Sequence, residues 1–261
     1  MQLVDIGANL TADAFAKDLN NVIKRGFDAG VSKMVLTGSS LKDSQAAATL
    51  AARYPKQFWS TAGIHPHMAE SYDLDSKFTL RGLGELPQVC AIGESGLDFN
   101  RDFSPRNAQR NSFAAHLELA SELKLPLFLH QRDAHEDFMA IMKAHRQSFD
   151  NAIVHCFTGN EKELDDYLEM DLHIGITGWI CDERRGHHLR EFIGKIPADR
   201  LMIETDAPYL LPRDIRPKPK SRRNEPMYLP HICQVVADVR GVDVAELART
   251  TTQTAERFFG I

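Results

Sequence analysis

The chain contains no C-x-x-C pair. Its four cysteines, Cys90, Cys156, Cys181 and Cys233, are scattered, which argues against a zinc ribbon or a thioredoxin-type redox motif. No apolar run is long enough to span a bilayer. The opening residues, Met1-Gln2-Leu3-Val4-Asp5, lack the basic start and apolar stretch of a secretory signal. The expectation is a cytoplasmic protein with reduced thiols and no membrane partner. Positive charge is not in excess either: 31 Lys and Arg against 36 Asp and Glu leave a formal net charge of -5. Net charge therefore does not mark a nucleic-acid binder, although an enzyme needs a positive field only where a polyanion docks. Low-complexity tracts and linkers are also missing, so residues 1–261 are expected to form one domain, and a monomer.

What is present is alternation. Short apolar runs predict strands at Leu3–Ile6, Lys33–Thr37, Phe58–Ala62, Val89–Ile92, Leu127–His130, Ala152–His155, His173–Ile176 and Leu201–Ile203. Amphipathic stretches at Leu41–Tyr54, Arg106–Leu123, Ala134–His145 and Glu161–Glu169 predict helices between them, with two more near Leu229–Val239 and Val244–Phe258. Helix starts are marked by Ser104-Pro105 and by two pairs at capping-box spacing, Asp133 with Glu136 and Thr158 with Glu161. Tyr209–Pro226 holds Pro212, Pro217, Pro219 and Pro226 and reads as a long irregular loop. The length of 261 residues matches the roughly 250 of an α/β protein of the (β/α)8 TIM-barrel class. A doubly wound open sheet is the competing architecture.

Polar residues recur where these strands stop. Ile92-Gly93 leads into Glu94, Leu127-Phe128-Leu129 into His130, Ile153-Val154 into His155, and Leu201-Met202-Ile203 into Glu204-Thr205-Asp206. In a barrel, the C-terminal strand ends share one face and build the active site. Carboxylates and imidazoles together form the ligand set of a hydrolytic divalent metal, which acidifies bound water. One histidine at a strand end is more often structural, and one carboxylate can simply cap a helix. Four such residues at four strand ends make a joint case for catalysis. His65, in Gly63-Ile64-His65-Pro66-His67 after the third strand, can reach the same face as a phosphate contact or proton donor. Cys156 and Cys181 lie near that face, and a packed, non-ligating role is favoured for both, because Mg-type chemistry prefers oxygen and imidazole.

Five ordered motifs carry a resemblance: Gly63-Ile64-His65-Pro66-His67, Ile92-Gly93-Glu94-Ser95-Gly96-Leu97-Asp98, Leu129-His130-Gln131-Arg132-Asp133-Ala134, His155-Cys156-Phe157-Thr158-Gly159 and Glu204-Thr205-Asp206-Ala207-Pro208-Tyr209-Leu210. With Arg222-Arg223-Asn224-Glu225-Pro226, this series resembles the TatD family. The resemblance implies a TIM-barrel metallohydrolase of the amidohydrolase superfamily. It implies a Mg2+-dependent nuclease (Mn2+ being another candidate ion) acting as a 3'-to-5' exonuclease on single-stranded DNA and RNA, with a place in DNA repair or RNA turnover. By the same resemblance, Glu94, His130 and His155 match metal ligands, Asp206 the acidic residue after the last strand, and His65 the histidine near the scissile phosphate. One departure matters. Most members open with an H-x-H pair after the first strand; here Gly7 and Asn9 stand at those places. One firmly held ion is expected, joined by a second with help from the substrate phosphate, and Asp5 reads equally well as structural or as an outer support of the site.

The Tyr209–Pro226 loop carries Arg213, Arg216, Lys218, Lys220, Arg222 and Arg223, opposed locally by Asp214. Such a cationic island can neutralise phosphates irrespective of base sequence. Arg222, Arg223 and Arg132, the last directly after the His130-Gln131 pair, are the candidate phosphate contacts. Phe157, Trp179 and Tyr209 are candidate stacking surfaces for unpaired bases, with core packing as the plainer role. Two other readings remain open: an amide or ester hydrolase of the same superfamily, and a catalytically silent binding protein, which the missing H-x-H pair favours.

Overall fold

In the computed structural model, which describes residues 1–261, strands and helices alternate from end to end. β1 (Leu3–Ala8), α1 (Leu19–Asp28), β2 (Val31–Leu36), α2 (Leu41–Ala52) and β3 (Phe58–Ala62) come first. α3 (Leu74–Gly84), β4 (Val89–Asp98), α4 (Arg106–Leu123), β5 (Leu127–Arg132), α5 (His135–Ala144) and β6 (Ala152–Val154) follow. α6 (Glu161–Glu169), β7 (His173–Ile176), α7 (Leu189–Phe192), β8 (Leu201–Ile203), α8 (Leu229–Arg240) and α9 (Val244–Phe259) complete the order. The strands form one eight-stranded sheet in sequence order, and Ala8 at the end of β1 makes a parallel bridge to Ala207 beyond β8. This is the (β/α)8 topology, not the doubly wound alternative.

Three expected strands match to the residue: β3, β7 and β8. β4 runs six residues further than expected, to Asp98, because Gly93 and Gly96 do not break it. Both glycines take positive φ, at 136° and 141°, and remain paired with β5. The expected helix caps are corrected. Pro105 occupies the N-cap of α4, while the Ser104 hydroxyl donates to His67 O and accepts from Glu70 N–H. Ala134 precedes α5 without a side-chain cap. The capping box of α6 is Asn160 with Glu163, two residues later than expected. α1, α3 and the short α7 escaped the periodicity reading; α3 is capped by Asp73, which accepts from Ser76 N–H at 2.8 Å.

Two compact units divide the chain: a central one, Leu36–His155 with Gly260, and a terminal one, Met1–Val35 with Cys156–Phe259 and Ile261. In the central unit β3, β4, β5 and β6 are consecutive parallel neighbours. Its core is packed with Phe58, Phe113, Phe128 and Phe138, all essentially inaccessible, and Phe113 stacks on Phe138 at 5.0 Å. Burying each such ring is worth roughly 1.5–3 kcal/mol. In the terminal unit β7 and β8 are parallel neighbours, over a core that includes Phe15, Tyr167, Ile174 and Met202.

Asp5 fastens β1 to the chain leaving β8. It is fully buried and accepts from Thr205 N–H at 2.9 Å, Thr205 Oγ1 at 2.6 Å and Gly7 N–H at 3.3 Å. Burial pushes its carboxyl up to about 7 against the pull of these hydrogen bonds. A carboxyl raised in the fold contributes stability that is complete below the unfolded value near 4 and is lost as pH rises through about 7. The Asp5→Asn variant, which cannot titrate, should therefore gain stability over the parent as pH rises from about 4 to about 7, levelling above that at no more than about 4 kcal/mol. Chemical denaturation across this range checks it; a constant difference would mean that the carboxyl does not titrate there.

Candidate metal centre

Three imidazoles of the central unit converge on one carboxylate oxygen. His155 Nε2 lies 2.9 Å from Glu94 Oε1, His65 Nε2 lies 3.2 Å away and His130 Nδ1 3.3 Å. Parallel neighbouring strands account for the meeting: His65 follows β3, Glu94 lies in β4, His130 in β5, and His155 directly follows β6. The ladder between β4 and β5 skips Glu94, with Gly93 opposite Phe128 and Ser95 opposite Leu129. That extra residue is a bulge, which re-aims its side chain. Glycine on either side permits it. A Cβ on Gly93 would lie 2.0 Å from Phe128 O, and one on Gly96 1.9 Å from His130 O, distances no side chain can occupy.

Outer partners fix the rings. His130 Nε2 lies 3.1 Å from Asp98 Oδ2, which also meets His67 Nε2 at 2.9 Å. The other Asp98 oxygen accepts from Asn100 and Arg101 N–H. Burial would raise the Asp98 carboxyl, but hydrogen bonds from His130, Arg101 and His67 hold it well below the usual range. Burial would lower the His130 pKa, but hydrogen bonds to Asp98 and Glu94 raise it; with a cation bound, Asp98 would accept from Nε2–H and leave Nδ1 as the ligand atom, the outer-carboxylate arrangement of metal-binding histidines. His65 Nδ1 accepts from His67 N–H at 3.0 Å, so the neutral ring carries its proton on Nε2. Burial pushes the His65 pKa down, with the Glu94 charge opposing. His155 stacks on Phe128 at 4.4 Å. Behind the cluster, His116 is fully buried and structural: it accepts from Ile64 N–H at 3.1 Å and donates to Ser112 O at 2.7 Å, and burial pushes it down to about 4.

The donor set fits a divalent cation. Burial would raise the Glu94 carboxyl, yet the surrounding imidazoles take it well below its usual range. Neutral rings cannot all turn an N–H to one oxygen while His130 gives its proton to Asp98. Nitrogen lone pairs and a carboxylate facing one point are satisfied by a shared cation. Donor atoms of Glu94 and His130 lie within 4.8 Å of each other and of His65; His65 Nε2 carries a proton and faces Glu94 as a donor, and His155 Nε2, 2.9 Å from Glu94 Oε1, is the further ligand candidate.

The terminal unit holds Asp206. It follows β8 with φ 55°, and its Oδ1 accepts from Asn9 Nδ2 at 3.0 Å while its N–H donates to Gly7 O at 2.8 Å. The two residues at the H-x-H places thus support Asp206. Glu204, fully buried, accepts from Cys156 N–H at 2.6 Å and holds the turn after β6.

The three candidate arginines differ. Arg132 is half-buried at the end of β5, and Arg222 is exposed; neither has a carboxylate partner. Arg223 departs from the expectation. Its guanidinium donates to both Asp18 oxygens, Glu225 and Ala14 O, and lies 5.0 Å over Phe15. Its charge is neutralised where it stands. Among the aromatics, Phe157 is core, edge-on to Tyr167, and Trp179 is covered by Arg185 at 4.3 Å. Tyr209 is 59% exposed. Asp98 was not singled out from sequence; its signal was the even spacing from Glu94 along one strand.

A family model described as TatD related DNase matches residues 4–260. The 3'-5' ssDNA/RNA exonucleases TatD of Erwinia tasmaniensis and Escherichia fergusonii are 55% and 50% identical over 259 residues, covering 99% of this chain and 100% and 99% of theirs. Among solved structures, the TatD homolog YJJV from Escherichia coli K12 superposes with a TM-score of 0.89 at 24% identity. A hydrolase TatD family protein from Entamoeba histolytica gives 0.88 at 27%. Each pairing covers 99% of this chain and 98% of the other.

Asp98→Asn should leave the fold intact and weaken Mn2+ binding by about 10–100-fold, the usual cost of losing an outer partner. Titration calorimetry tests this; unchanged affinity would mean that packing alone orients His130.

Proposed function

Because the chain belongs to the family of TatD-related DNases, we propose that it is a divalent-metal-dependent hydrolase removing nucleotides from the 3' ends of single-stranded DNA and RNA. The observation that carries this reading is the convergence of three imidazoles on Glu94 Oε1. Glu94, His130 and His155 would hold the cation, Mg2+ or Mn2+, which when bound supplies Lewis acidity toward water and the phosphoryl oxygen. The second ion of the family is left without imidazoles by Gly7 and Asn9. Asp98 holds the His130 proton away from the ligand position. The Nε2–H of His65 donates to a phosphate or leaving oxygen as negative charge builds there. Asp206 takes the proton of the attacking water, with one oxygen pinned by Asn9. Arg132, free of carboxylates, binds a phosphate, and Arg222 with Lys218 and Lys220 adds sequence-independent attraction.

The polarity and the substrate class are supported by the named activity of relatives at 50–55% identity over nearly the full chain. No helix is long and apolar enough to cross a membrane. The proposed setting is a single-domain cytoplasmic monomer working in DNA repair or RNA turnover.

A 5'-labelled single-stranded oligonucleotide should give a ladder shortening from its 3' end with Mg2+ or Mn2+, and none with chelator. His130→Ala should lose more than about 100-fold in rate, beyond the effect of an outer partner. No cleavage with either metal, alongside turnover of amide or ester substrates, would overturn the nuclease reading.

Arg222 and Arg223 should separate cleanly. Arg222→Ala should weaken single-strand binding and reduce the slope of log K against log salt by about 0.7. Arg223→Ala should act on stability, because it leaves Asp18 and Glu225 to share Arg25 alone. Fluorescence binding across a salt series, with thermal melts, distinguishes the two.

A further inference from the structure

The terminal unit holds another set of ligand-type side chains, which the mechanism above does not use. Cys181 ends the 3-10 turn Gly178–Cys181 after β7, Asp214 lies in the cationic loop after β8, and His231 is in the first turn of α8. A thiol sulfur, a carboxylate oxygen and an imidazole nitrogen thus come from three separate segments, all within 4.8 Å of one another. His231 Nε2 lies 2.6 Å from Asp214 Oδ1, and burial, with the Asp214 charge, pushes the Cys181 thiol up. The second Asp214 oxygen faces Arg190 Nη2 at 3.6 Å, and Oδ1 faces the His231 ring. Cys181 is buried, whereas Asp214 and His231 are 35% and 33% exposed. The cluster therefore has a buried floor and an open side.

We propose that Cys181, Asp214 and His231 form a zinc(II) site that fastens the cationic loop to α8 and to the turn after β7. Thiolate and imidazole select zinc over magnesium. With zinc bonds of about 2.0–2.3 Å, tetrahedral ligand atoms sit about 3.5 Å apart. The His231–Asp214 contact would open by about 1 Å to reach that spacing, and the Cys181 sulfur, within 4.8 Å of both, would close to it. Three protein ligands leave a fourth position for water. On binding, the Cys181 S–H bond breaks, a zinc–sulfur bond forms and the proton passes to solvent, with no change of oxidation state. The proposal does not depend on the nuclease reading.

Cobalt(II) serves as the spectroscopic probe, added to the full-length protein in excess Mg2+. A thiolate-to-cobalt charge-transfer band is expected in the near ultraviolet, displaced by zinc. It should vanish in Cys181→Ser and persist in Cys156→Ser, Glu94→Gln and His130→Ala. His231→Gln and Asp214→Asn should each weaken zinc binding at least about tenfold. Zinc should also slow trypsin cleavage after Lys220. No band in the parent protein, or a band surviving in folded Cys181→Ser, overturns the site. If Cys181→Ser does not fold, unchanged zinc affinity in both His231→Gln and Asp214→Asn overturns it.

Discussion

One carboxylate oxygen, Glu94 Oε1, collects three ring nitrogens from three different strand ends, and most of the local architecture exists to place it. A straight β4 would direct Glu94 by simple alternation. The bulge redirects it, and the bulge needs backbone conformations that only glycine tolerates at Gly93 and Gly96. The rings need their own constraints. Asp98 fixes His130, the His67 N–H fixes His65, and Phe128 backs His155. Such partners restrict the rotamers of the group and so lower the entropy cost of assembling it around a cation.

Chemically similar residues take different roles according to their surroundings. His116 and His65 are close in the fold, yet His116 has both nitrogens committed to backbone groups and stays neutral. Asp5 and Asp206 both flank the chain leaving β8. Asp5 has no access to solvent and accepts three protein hydrogen bonds; Asp206 receives a side-chain hydrogen bond on one oxygen from Asn9. Asn9 gives the lost H-x-H pair a physical meaning: an amide donor toward a carboxylate replaces an imidazole donor toward a metal.

Much of this was legible in the sequence. Strand ends revealed Glu94, His130 and His155, because apolar runs terminate abruptly in residues that rarely belong in a core. Alternation revealed the strand order. Hydrogen-bond partners were not legible. Nothing local distinguishes Arg222 from Arg223, yet one is exposed and the other is bound to Asp18, some 200 positions earlier. The α6 capping box erred by two residues because Asn and Thr have similar capping preferences, and tertiary packing chose Asn160 over Thr158; the box expected at Asp133 does not form, and α5 starts without a side-chain cap. β4 was cut short because glycine reads as a breaker when its partner strand is unseen.

Arg223 belongs to a quartet in the terminal unit. Asp18 and Glu225 each pair with both Arg25 and Arg223. Two positive and two negative groups cancel, so the root of the cationic loop exerts little net field, while Lys218, Lys220 and Arg222 at its tip remain exposed. The mooring charges are paired among themselves, and the exposed ones are not. Selection or engineering can raise or lower the pull on a polyanion by exchanging tip residues one at a time, and the loop stays moored throughout.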